Sequence, residues 1–219
     1  MSGVGEAGLV LGIISSIISI IDATKQIYDA IEDEAGLPKN FKKSAAKLPL
    51  ISKLLEDAER YVDNAADECI KAAFTPTLED CKVQAKHLKN LFDKVMPEDG
   101  DSRWGRYVKA ARTIGKGGRV ESLVGGILAD LQLLATKFPE VTTPRGKEQL
   151  ANAIDEVTGM EPSLSEDDFE QMPAYRHSGS GPQNNNIGGG TQNNNNSTGN
   201  QNNGTGQQYI GINHIGTQK

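Results

Sequence analysis

Apolar residues recur at three- and four-residue steps through the first 160 positions, the period of helices packed against one another. Val10, Ile14, Ile17, Ile21, Tyr28 and Ile31 form one stripe of a helix expected from about Gly5 to Glu34. Ser15, Ser19, Asp22, Gln26 and Asp29 form its polar side. Gly36 is placed to stop that helix and Pro38 to start the next. A second helix is expected from Pro38 to Asn64, with Phe41, Ala45, Leu48, Leu55, Ala58 and Val62 inward and a kink at Pro49. Thr75, Pro76 and Thr77 read as the capped start of a third helix. Its seam is Leu78, Cys81, Ala85, Leu88, Phe92 and Val95, and Pro97 and Gly100 end it. A fourth helix is expected from Ser102 to Ile114, with Trp104 as a core anchor. Gly115, Gly117 and Gly118 break the pattern. A fifth runs from Val120 to Lys137 with Val120, Val124, Ile127, Leu131, Leu134 and Phe138 inward, and Pro139 stops it. Thr143 and Pro144 cap a short sixth, ending near Gly159. No stretch before residue 178 alternates at period two. The pattern predicts an all-α fold over residues 1–160, a bundle of four to five main helices.

The pattern then stops. Residues 161–177 hold Glu161, Glu166, Asp167, Asp168 and Glu170 between Pro162 and Pro173, and read as an acidic linker. In residues 178–219, Gly, Asn and Gln fill 27 of 42 positions and Lys219 is the only charged side chain, so no packed core is to be expected there. This segment is a repeat. Gly181, Gln183, Asn184 and Asn185 are followed at a step of nine by Gly190, Gln192, Asn193 and Asn194. Gly199, Gln201, Asn202 and Asn203 follow at the same step, and a compressed copy, Gly206, Gln208 and Tyr209, closes the array. A fixed short period implies that each copy takes one local structure and stacks on the next. Glycine gives the turns, and the amides form ladders when copies stack in register. Apolar positions are too few for a soluble solenoid, so stacking between molecules gains most. A flexible linker of the same composition needs no period.

Charge and cysteine usage narrow the function classes. The net charge of -6 gives no overall pull on nucleic acid. Cys69 and Cys81 cannot build a disulfide framework, and His87, His177 and His214 are scattered, so no metal or cofactor is expected. The segment from Gly115 to Gly118 lacks the GxxxxGK[ST] spacing of a phosphate loop and follows a helix rather than a strand. No catalytic motif is present, and the chain is expected to be a cytoplasmic protein rather than an enzyme.

Two features point toward membranes. Residues 7–21 carry no charge, but 15 helical residues span only about 22 Å, short of a hydrocarbon core of about 30 Å. Gly5, Gly8 and Gly12 form a small-residue face beside Ile13, Ile14, Ile17, Ile18 and Ile21. Such faces let helices approach closely in lipid. In a closed bundle the same apolar side fills the core, with the glycines allowing close packing. Lys39, Lys43 and Lys47 make one basic stripe, and Arg103, Arg106, Lys109, Arg112, Lys116 and Arg119 another. Each reads as a site for anionic headgroups or as a solvated face paired with neighbouring carboxylates.

Leu37 to Phe41 with Ala46 to Leu50 resembles the start of the second helix of the fungal SesA family. A second block does so too: Arg103 and Trp104, then Gly115, Lys116, Gly117, Gly118, Arg119 and Glu121, then Asp130 to Leu133. The resemblance covers about residues 5–140. The tail resembles the sigma-type amyloid motif of fungal prion-signalling proteins. The first resemblance implies a HeLo-like helical domain of the kind found at the N-terminus of NACHT-type NOD-like receptors. Together they imply amyloid templated by a receptor carrying a matching motif, self-assembly through the tail, and clustering of the helical domain in programmed cell death, heterokaryon incompatibility or innate immunity. Membrane lipids are the implied target, at the plasma membrane after activation. A scaffold that never touches lipid is the alternative, and a nucleic-acid condensate protein a distant one.

Overall fold

The computed structural model describes residues 3–30, 36–65, 68–95 and 102–170. The chain divides into two units, residues 1–171 and 172–219. The second unit, with every position of the nine-residue repeat, lies outside the described residues.

The described elements are all helical: α1 (Gly3–Asp29), α2 (Lys39–Ala45), α3 (Leu48–Asn64), α4 (Glu68–Val95), α5 (Arg103–Ile114), a 3-10 turn (Lys116–Gly118), α6 (Val120–Lys137), α7 (Pro144–Thr158) and α8 (Asp167–Glu170). The longest two, α1 and α4, pack on each other. Next, α3 covers α1, α6 lies along α4, α7 along α6, and α5 against α4. The expected stripes supply the core. Ile14, Ile17 and Ile21 of α1, Leu48 and Leu55 of α3, and the whole α4 seam from Leu78 to Val95 are buried. Each large aliphatic side chain so buried stabilises the fold by about 1.5–3 kcal/mol.

Two aromatic groups brace the bundle. Phe41 of α2 sits 4.9 Å from Tyr107 of α5 and 5.1 Å from Phe92 of α4. Phe74 of α4 stacks on Phe138 at 4.4 Å, with Tyr61 of α3 beside both.

Three boundaries differ from the sequence reading. Pro49 makes a break instead of a kink: α2 ends at Ala45, and Pro49 sits in the first turn of α3. There its missing N–H is one of the donors a helix leaves unpaired anyway. Thr75 and Pro76 do not start a helix. Instead α4 begins at Glu68 and runs through Pro76. Pro76 and Ala72, whose carbonyl loses its partner, both face solvent, while Phe74 between them is fully buried. The unpaired carbonyl thus belongs to an exposed residue, where it costs least, and the buried ring holds the turn. Finally, α1 ends at Asp29, and Ile31 lies outside the described residues.

Candidate functional site

The first candidate surface is α1. Gly8–Asp29, 22 residues, is long and apolar enough to cross a membrane by length and composition, at about 33 Å. The 15-residue figure read from the sequence counts the uncharged run alone, and the longer span also takes in Asp22, Lys25 and Asp29. Val10, Ile13, Ile14, Ile17 and Ile21 are buried, Ile18 is half-buried and Leu9 is 56% exposed. Gly5 belongs to the opening turns. The expected close packing at the glycines is not found: a Cβ added at Gly8 or Gly12 meets nothing within 4 Å. The core is filled by isoleucines one step round the helix, and the glycines face open space. Polar side chains stitch this helix to α3. Ser15 donates to Glu59, and Ser52 donates to Asp22 at 3.1 Å.

The second candidate is the block from Arg103 to Glu121. Ser102 caps α5 by accepting the Gly105 N–H at 3.1 Å. Arg103 follows, its Cβ 3.8 Å from where a Cβ on Gly36 would stand. Trp104 is 43% exposed, so the anchor expected there is Tyr107, fully buried with Trp104 edge-on to it at 5.8 Å. The two stand three positions apart on one helix face, and the core ends between them. Gly115 ends α5 at φ 97°, open to glycine and strained for other residues. Gly118 then folds back on α5, where a Cβ would stand 2.3 Å from the Ala111 carbonyl oxygen. This pair of glycines makes a reversal between two helices. Gly117 meets nothing, and Lys116 is exposed.

What the reversal presents was not read from the sequence. The first part of the acidic segment, residues 161–170, lies on the bundle. Asn40 donates to the Glu161 carbonyl at 2.8 Å. Leu164 is buried. Tyr107 accepts the Val120 N–H at 3.3 Å and hydrogen-bonds Ser163, whose hydroxyl and N–H both donate to Glu121 Oε1, at 3.0 and 2.7 Å. Arg119 donates from Nε to the Leu164 carbonyl at 2.8 Å and reaches Glu166 at 2.6 Å. Its guanidinium lies 4.9 Å over the Phe169 ring. Lys116 pairs with the other oxygen of Glu166 at 2.9 Å, and Arg112 donates to the Asp168 carbonyl. Half of the second basic stripe is thus spent on this segment. From the first stripe, Lys47 pairs with Glu156, while Lys39 and Lys43 are exposed. A signal was present in Ser165 and Asp168, whose spacing is a capping box and whose side chains cap each other's N–H groups.

Titration follows the contacts. Arg119, then Lys116, hold Glu166 down at about 2. Burial pushes the Tyr107 hydroxyl up to about 12. Burial, then Asp130, pushes the Cys81 thiol up to about 12, so it is no nucleophile near neutral pH. Among the described residues no group of three or more His, Cys, Asp or Glu could hold a metal ion.

No curated protein and no solved structure matches the chain significantly. A family model described as the N-terminal domain on NACHT NTPases and P-loop NTPases matches residues 14–134, just over half the chain. The match runs from the apolar turns of α1 through the glycine reversal to the end of the α6 core, and the chain belongs to the SesA family.

Proposed function

We propose that this chain is a signalling effector of a NACHT-type NOD-like receptor pathway, in which the tail assembles as amyloid on a matching receptor segment and clusters the helical unit. The observation that carries the reading is the joining of two features in one chain. One is a SesA unit. The other is a tail in which G-x-Q-N-N recurs three times at a step of nine. Its partners are further copies of itself, a receptor with a matching motif and, after activation, membrane lipids. Its work is binding in the cytoplasm, with no catalysis, cofactor or nucleic acid. The clustered units then act at the plasma membrane through α1 in programmed cell death.

The test is fibre diffraction on a residue 178–219 peptide, followed by seeding of the full chain with the fibrils. Reflections near ~4.7 and ~10 Å are expected. A peptide that stays soluble even with seeds of a regular nine-residue-repeat protein sinks the reading.

The burial of α1 favours a second reading, a scaffold that recruits partners without touching lipid. Withdrawing α1 exposes Val10, Ile13, Ile14, Ile17 and Ile21, each worth about 1.5–3 kcal/mol. Leakage of anionic vesicles by the seeded full chain separates the two: dye release supports the membrane reading, and intact vesicles support the scaffold.

A further inference from the structure

The segment after α7 sits on the bundle as a peptide sits in a groove. The groove runs along α5, the glycine reversal and the first turn of α6. It offers a buried seat for Leu164 and Arg119 for both a main-chain carbonyl and the Glu166 carboxylate. It offers Glu121 for the Ser163 N–H and Arg112 for the Asp168 carbonyl. The segment is joined to the bundle by a single turn, in which Gly159, Glu161 and Pro162 are exposed.

Two features make it easier to lift than a helix of the core. Glu121 Oε2 is buried with no hydrogen-bond partner among the described residues, which weakens the closed form. Of the two ion pairs that hold Glu166, the one to Lys116 is exposed on both sides and screened by salt. A short tether keeps the segment in place by an effective concentration in the millimolar range.

We propose that this groove also accepts residues 161–170 of a second copy, so that the segments exchange between molecules when copies are concentrated. A second copy is the occupant because it carries the same segment, so every contact given up within one chain is regained between two. The exchange requires crowding only. It does not depend on the tail being amyloid, although clustering of the kind proposed above supplies the crowding.

Complementing full-length variants test this. Leu164→Ala keeps the groove and spoils the segment; Arg119→Ala keeps the segment and spoils the groove. Each alone is expected to be monomeric by light scattering, and an equimolar mixture to pair, doubling the mass. A mixture that stays monomeric as it approaches millimolar concentration overturns the proposal. Should either variant misfold, the wild-type chain gives the answer. Pools with and without heavy nitrogen are mixed and treated with a carbodiimide, which joins Lys116 to Glu166 across their 2.9 Å contact. Exchange gives links between the pools whose share rises with concentration. Links confined within each pool at every concentration overturn it.

Discussion

Gln84 of α4 donates from Nε2 to Asp130 Oδ2 of α6 at 2.8 Å, in space left by Gly126, where a Cβ would stand 1.6 Å from Gln84 Oε1. Burial, and then the neighbouring Asp80, raises the Asp130 carboxyl from 3.8 to about 6. Ionising it therefore costs the folded chain more than the unfolded one. Stability is undiminished below the ordinary value and is lost as pH rises through about 4 to 6. Taken at face value the shift is about 3 kcal/mol. Solvent around a half-buried group reduces it to about 1 kcal/mol. Asp130→Asn keeps the acceptor for Gln84 and removes the charge. It is expected to raise the melting temperature at pH 7 by about 2–4 °C, with the gain vanishing below about pH 4. An equal gain at both pH values would assign the effect to something other than this carboxylate.

The glycines of the reversal divide by what a side chain would meet. Gly118→Ala drives a methyl into the Ala111 carbonyl and is expected to destabilise the fold by about 2–4 kcal/mol. Gly115→Ala forces a side chain into the left-handed region, at about 1–2 kcal/mol. Gly117→Ala meets nothing and has an ordinary φ, so it is expected to be neutral or to stabilise by up to about 1 kcal/mol. Urea denaturation of the three variants gives the ranking. A Gly117 variant as damaged as the Gly118 variant would contradict it.

Periodicity made most of the fold legible because each main helix buries one stripe. The seam from Leu78 to Val95 and the boundaries of α5, α6 and α7 agree with it. The misreadings share a cause: prolines and Trp104 were assigned by local preference, while packing decided their place. Phe74 carries α4 through Pro76, and Tyr107 occupies the core position one turn after Trp104. The groove was less legible. Its segment is acidic and nearly devoid of apolar residues, and its contacts span 42 to 121 positions along the chain. Only Leu164, Phe169 and the Ser165–Asp168 spacing marked it locally.

Glu166 gives the segment an acid-sensitive hold. Its carboxyl lies at about 2 against an ordinary 4.5, because Arg119 and Lys116 favour the ionised form. The stabilisation it gives is complete above about 4.5 and is lost as pH falls toward 2. The Arg119 side-chain N–H resonances of the wild-type chain, on the guanidinium that holds Glu166, are expected to shift across that window. In Glu166→Gln the step is expected to disappear, with the segment as loose at neutral pH as the wild-type segment is in acid. A step that persists in the variant would transfer the effect away from Glu166.

Gly8 and Gly12 separate what α1 does inside the bundle from what it does outside. In the bundle a side chain at either position points into open space. Replacing a helical glycine by a better helix former also gains up to about 1 kcal/mol per site. The Gly8→Leu, Gly12→Leu double variant is therefore expected to fold with unchanged or higher melting temperature. In lipid, or between copies of α1, the same change puts bulk where two helices would come closest. If α1 acts at a membrane, vesicle leakage by the assembled chain falls sharply although stability does not. If the chain is a scaffold, partner recruitment continues as before. A variant that melts lower would show instead that the glycines serve the bundle.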